Sequence, residues 1–198
     1  LYINNHDGTF KETLNTSAKH ISEFSMGSDI ADYNNDGKPD LVVLDMLPED
    51  NYRQKVLKGP DGYDKYMMRL KLGYHRQQMR NVLQLNNGND TAGAPVFSEI
   101  GQLAGISNTD WSWAPLMADF DNDGRAELLS VGLWDNPDSA LPGSGQYAYT
   151  GFNYIYKFNG TSFNLVTNGI LTYTFESSDG LIRAAVADYT GDGYLDLA

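Results

Sequence analysis

The chain has no cysteine among its 198 residues. Disulfide staples, thiolate metal sites and cysteine nucleophiles are therefore excluded, although the compartment is left open. Basic residues are few: 14 Lys and Arg stand against 26 Asp and Glu, for a net charge of −12. That balance argues against a nucleic-acid backbone as partner and points to bound cations or to solubility. No apolar run approaches the roughly 18 residues of a membrane span. Nucleophile elbows and glycine-rich phosphate loops are missing. His6, His20 and His75 lie scattered, without a second histidine at metal-binding spacing. Nothing in the sequence assembles a catalytic constellation, and the chain is not expected to be an enzyme. Leu1 is not a methionine and Leu195–Ala198 read as a strand cut short. The chain is thus expected to be part of a longer protein, with any export signal outside it.

What the sequence does contain is an acidic repeat. Three segments share a pattern: Asp32-Tyr33-Asn34-Asn35-Asp36-Gly37-Lys38-Pro39-Asp40, Asp119-Phe120-Asp121-Asn122-Asp123-Gly124-Arg125-Ala126-Glu127, and Asp188-Tyr189-Thr190-Gly191-Asp192-Gly193-Tyr194-Leu195-Asp196. Each follows an alanine and precedes apolar residues. A second motif comes before each loop: Leu1-Tyr2-Ile3-Asn4-Asn5 with Phe10, Leu83-Gln84-Leu85-Asn86-Asn87 with Phe97, and Ile155-Tyr156-Lys157-Phe158-Asn159 with Phe163. The separations between paired motifs are 31, 36 and 33 residues, and the loops recur after 87 and then 69 residues.

Short strands and turn signals at such a period indicate propeller blades. The expected fold is all-β. It is a partial β-propeller of four-stranded blades, occupying 1–198 as one segment, with one strand before each acidic loop, one after it, and two more carrying the second motif and its Phe. Residues 1–12 supply an outer half-blade, 26–100 and 113–167 two whole blades, and 182–198 an inner half-blade. Rings need roughly four to eight blades, so further segments must complete this one. Residues 49–80 interrupt the pattern. They carry a local charge of +4, leaving −16 elsewhere. Tyr63, Tyr66, Met67, Leu70 and Tyr74 recur at helical spacing. A helical insert packed on a blade edge is expected there, with docking of an acidic glycan or a protein ligand as the sharper reading.

The acidic loops suit a hard divalent cation, which takes six to eight oxygens at about 2.3–2.6 Å. Alternate side chains at positions 1, 3 and 5 turn toward one centre, glycine at 6 permits the turn, and position 9 closes the site. Left without a cation, the clustered acids repel one another. An EF-hand is rejected because it needs a glutamate at position 12 between helices, where Val43 and Ser130 stand here. By charge count the second loop is expected to be the strongest site. The third, with Thr190 at position 3, is expected to be the weakest. Trp111 and Trp113 alternate on a strand and so face opposite sides. One is expected to pack between blades and the other to line the channel or a binding face, with core packing favoured. Asn15, Asn89 and Asn159 are expected to be solvated loop residues.

These residues resemble the FG-GAP/VCBS repeat family, the calcium-loop propellers that include integrin α-subunit heads. The resemblance implies Ca2+ ligands at Asp32, Asn34, Asp36, Lys38 (carbonyl) and Asp40. It implies a second set at Asp119, Asp121, Asp123, Arg125 (carbonyl) and Glu127. The third set is Asp188, Thr190, Asp192, Tyr194 (carbonyl) and Asp196. Residues 1–134 look similar to VCBS proteins of Bacteroidota related to the ASPIC/UnbV group, on Asp45-Met46-Leu47-Pro48-Glu49-Asp50, Met79-Arg80-Asn81 and Thr109-Asp110-Trp111-Ser112-Trp113-Ala114-Pro115. The implied role is a secreted or cell-surface binding or adhesion scaffold. A calcium-dependent polysaccharide lyase, or an assembly unit that completes blades with neighbouring chains, are the alternatives.

Overall fold

The computed structural model describes residues 1–57, 62–135, 149–168, 174–175, 186–187, 191 and 196–197. The sheets form two four-stranded antiparallel blades flanked by two hairpins. The N-terminal hairpin joins β1 (Tyr2–Asn4) to β2 (Phe10–Glu12). After the single turn α1 (Leu14–Ser17) and β3 (Ile21–Ser22) comes the first blade. Its strands are β4 (Gly27–Ala31), β5 (Asp40–Leu44), β7 (Val82–Asn89) and β8 (Pro95–Glu99), in that spatial order. Between β5 and β7 run α2 (Asn51–Leu57), α3 (Tyr63–Lys71) and β6 (Gln77–Gln78). β6 leaves the blade and pairs in parallel with β3. The second blade is β9 (Ser112–Ala118), β10 (Glu127–Asp135), β11 (Tyr149–Phe158) and β12 (Phe163–Asn168). β13 (Thr174–Phe175) adds a short pairing to β11. A last hairpin joins β14 (Val186–Ala187) to β15 (Asp196–Leu197). The all-β, partial-propeller reading with two whole and two half blades is what the strands form.

Period-two patterning explains the strands. In β5, Asp40, Val42 and Leu44 are buried on one face while Leu41 and Val43 alternate with them. The core lies where the blades meet. It contains Tyr33, Val42, Leu44 and Leu83 from the first blade and Met117, Leu128, Tyr156 and Phe163 from the second, with Ala104 and Ile106 from the connection between them. Tyr33 sits edge-on to Phe158, with ring centroids 4.9 Å apart, and 5.4 Å from Phe163.

The innermost strands β4 and β9 pack side by side. They approach so closely that a Cβ added to Gly27 would lie 2.5 Å from the Trp113 carbonyl oxygen. The Pro115 ring lies almost as near. Trp113 is 39% exposed and Trp111 is half-buried, so neither joins the buried core, where one of them was expected. Asn15, Asn89 and Asn159 are exposed.

Three sequence runs that are distant in the chain meet in one buried polar network at the end of β5. Asp45, fully buried, accepts from Ser22 Oγ at 2.6 Å and from the amides of Glu23 and Phe24. Its own amide donates to Asn81 Oδ1 at 2.7 Å, and Asn81 Nδ2 donates to Ile106 O and Thr109 Oγ1. Thr109 continues to Ser112, and Ser112 to Ser130. Each polar group finds a partner, so the network fixes the blade junction without leaving a reactive group free.

Candidate metal centre

The two described acidic loops are hairpin connections at the same end of neighbouring blades: 32–39 links β4 to β5, and 119–126 links β9 to β10. Their backbones match. Position 4 is left-handed in both (Asn35, φ 60°; Asn122, φ 57°), and so is position 6 (Gly37, φ 81°; Gly124, φ 85°). Asparagine and glycine are the residues that adopt this region at least cost. Gly191 occupies position 4 of the third repeat and is left-handed too, at φ 72°.

The hydrogen bonds match as well. Asp32 Oδ1 and Asn34 Oδ1 both accept from the Asp36 amide at 3.0 Å, and Asp32 Oδ2 accepts from the Gly37 amide at 2.8 Å. In the second loop Asp119 Oδ1 and Asp121 Oδ1 accept from the Asp123 amide at 3.0 and 3.3 Å, and Asp119 Oδ2 from the Gly124 amide at 2.8 Å. Asp36 and Asp123 each accept the amide of position 7, from Lys38 and Arg125. Asn35 Nδ2 donates to Gly124 O at 2.7 Å, tying one loop to the other.

Position 9 lies at the floor of each site. Asp40 is fully buried; Oδ1 accepts the Asn86 amide at 2.8 Å, and Oδ2 has no hydrogen-bond partner. Glu127 is 2% exposed; Oε2 accepts the Phe120 amide at 2.9 Å, and Oε1 has no hydrogen-bond partner. A buried carboxylate oxygen without a hydrogen-bond donor is costly unless another charge compensates it, and two stand here at equivalent positions. Burial pushes the Asp40 carboxyl above its ordinary range, and the charges of Asp36 and Asp32 add to the rise. Burial likewise raises Glu127, with Asp121 and Asp123 contributing. Tyr33, beneath the first loop, is pushed up to about 12 by burial and by Asp40 and Asp36. The rim behaves oppositely. A hydrogen bond from Lys38 lowers Asp36, and one from Lys157 lowers Asp123.

Carboxylate oxygens of Asp119, Asp121 and Glu127 lie within 4.8 Å of one another, so the three could hold one metal ion. All donors are oxygens, which suits a hard cation. Each loop already gathers an ammonium. Lys38 Nζ is 3.0 Å from Asp36 Oδ2, while Lys157 Nζ binds Asp121 Oδ2 and lies 2.7 Å from Asp123 Oδ2. The structure thus gathers Asp119, Asp121 and Glu127 into one possible metal-holding group, while among the described residues Asp32, Asp36 and Asp40 share the first loop without drawing three carboxylates that close. Lys38 and Arg125 stand at position 7 of each. In the third set, Asp188, Thr190, Asp192 and Tyr194 lie outside the described residues, and Asp196 opens β15. Position 12 of the described loops, Val43 and Ser130, falls inside β5 and β10, away from any helix.

Sequence reasoning missed Lys157. Its signal was available: where the other two copies of the second motif have Ile3 and Leu85, this one has lysine.

A separate groove of about 820 Å3 lies among α3, β6 and the connection that follows β3. Phe24, Tyr63, Tyr66, Lys65, Arg69 and Gln78 are among the residues lining it. Arg69 pairs with Glu23. Arg53, from α2, forks onto Asp110 and so ties the insert to the blade junction.

Among the described residues no helix is long and apolar enough to cross a membrane. No curated protein and no solved structure matches the chain. The FG-GAP-like repeat family matches residues 1–43 and 72–130, which takes in both described loops up to Ser130 and leaves out the helical insert. Repeated acidic hairpins, the blades built around them and this match over more than half its length agree: the chain belongs to the FG-GAP-like repeat family.

Proposed function

We propose that the chain is a calcium-stabilised propeller segment of an exported protein and that it serves as a binding or adhesion scaffold. The supporting observation is the pair of buried oxygens without a hydrogen-bond donor, Asp40 Oδ2 and Glu127 Oε1, the second of them gathered with Asp119 and Asp121. Calcium supplies a compact double positive charge that offsets the repulsion among these oxygens and holds each hairpin to its blade. Asp32, Asn34, Asp36 and Asp40 would hold one ion, and Asp119, Asp121, Asp123 and Glu127 another. Binding stabilises by mass action, by about 2.7 kcal/mol at a hundredfold excess over Kd. Equilibrium dialysis tests the reading. At least two Ca2+ per chain are expected, falling by one in Asp121→Ala/Asp123→Ala; no uptake at millimolar Ca2+ would refute it.

The recognition surface in this reading is the groove beside α3. Aromatic faces of Tyr63, Tyr66 and Phe24 offer stacking, and Lys65 and Arg69 offer positive charge, a combination that fits an acidic glycan. Titration with an oligogalacturonate should shift the resonances of groove residues, and Tyr66→Ala should abolish the shift. Equal shifts in wild type and variant would place binding elsewhere. Appearance of unsaturated products in that titration would favour the lyase alternative, for which the proposal provides no chemical step. Strands of two chains sharing one blade would favour the assembly-unit alternative. We place residues 1–134 with the VCBS proteins of Bacteroidota related to the ASPIC/UnbV group, supported by the way Asp45, Asn81, Thr109 and Ser112 meet in one network.

A further inference from the structure

The two described loops gather their ammonium groups in different ways. Lys38 belongs to its own loop, two residues beyond its partner Asp36, and its side chain is 41% exposed. It touches one rim carboxylate and leaves Asp40 Oδ2 unpartnered. Lys157 comes from β11, two strands away from the loop's first strand β9. Its backbone is fixed on both sides of the sheet, since neighbouring Tyr156 pairs with Leu128 of β10 and Lys157 itself pairs with Asn164 of β12. From there Nζ reaches Asp121 and Asp123 and stands 3.8 Å from Glu127 Oε1, the buried oxygen that lacks a donor. Three of the loop's four carboxylates therefore surround one ammonium. The fourth, Asp119, receives the amides of Asp123 and Gly124.

The equivalent position in the first blade is apolar. Gln84 pairs with Leu41 as Tyr156 pairs with Leu128, so Leu85 corresponds to Lys157 and brings no charge to the first loop. An ammonium and a divalent ion compete for the same oxygens and repel each other at close range. Carboxylate count alone favours the second loop, but its excess negative charge is already partly matched by the protein.

We propose that Lys157 is a tethered counter-ion of the second loop: it holds that hairpin closed without metal and weakens divalent binding there. This rests on the calcium reading above and runs against the strength expected of that loop from charge count. Calorimetric titration of Ca2+ into the full chain tests it, with wild type, Lys157→Met, Lys157→Gln and Lys157→Met/Asp121→Ala compared. Lys157→Met and Lys157→Gln should each tighten one site by about tenfold, as coupled neighbouring charges do. The added Asp121→Ala should erase that gain. In chelator, Lys157→Met should melt below wild type, and calcium should raise its melting temperature by more than it raises wild type's. Unchanged site affinities in both Lys157 variants, with wild type binding calcium, would overturn the role of Lys157 and leave the calcium reading standing. Absence of calcium uptake by wild type and variants alike would overturn both.

Discussion

In the calcium reading proposed above, Asp40 would serve two states of the molecule, metal-free and metal-bound. Its Oδ1 is held by the Asn86 amide, its Oδ2 has no partner, and both are fully buried near Asp32 and Asp36. Burial and these neighbours raise its carboxyl pKa, so the metal-free fold binds the Asp40 proton more tightly than the unfolded chain does. The sign follows from linkage. This group's contribution is fully present below the ordinary aspartate range and is lost as pH rises through the raised value. A bound cation inverts the preference. Asp40→Asn should therefore stabilise the protein in chelator, by about 1 kcal/mol, and destabilise it in calcium, by roughly 2 kcal/mol. Thermal melts of the variant in both buffers read the crossing directly; loss of stability in both would reduce Asp40 to a packing residue. At this scale the repeated acidic positions were legible, because a tight loop fixes which residues it presents. Lys157 was not, because its Nζ reaches the loop from another strand, and spacing within the loop carries no record of it.

At the scale of elements the hairpins were the most legible part. Ala31 pairs with Asp40, Ala118 with Glu127 and Ala187 with Asp196, so the third repeat keeps the register of the other two in the strands that bound it. A shared register follows when the number of loop residues and the left-handed positions are shared, and both can be read from residue types: Asn or Gly at position 4, Gly at position 6. The helical insert was legible in outline through its aromatic spacing and its basic charge. The parallel pairing of β3 with β6 was not, since two-residue strands have no periodicity to detect. Alternation places Trp111 and Trp113 on opposite sides of the strand but does not say how far either is covered, and the structure leaves Trp113 39% exposed and Trp111 half-buried.

For the whole molecule, charge and fold are one problem. A chain of net charge −12 places two acidic hairpins at one end of adjoining blades, linked by the Asn35–Gly124 hydrogen bond. Beneath them the interblade core carries Tyr33 against Phe158 and Phe163. Loop closure and blade packing are therefore coupled, and an ion that steadies the loops should raise the melting of the assembled blades as well. The most direct measurement is the melting temperature of the full chain in calcium and in chelator at constant ionic strength. At a hundredfold excess of calcium over Kd, the stabilisation expected from mass action corresponds to a rise of roughly 5–10 °C per bound ion for a chain of this size. Coincident melting curves in the two buffers would contradict the account.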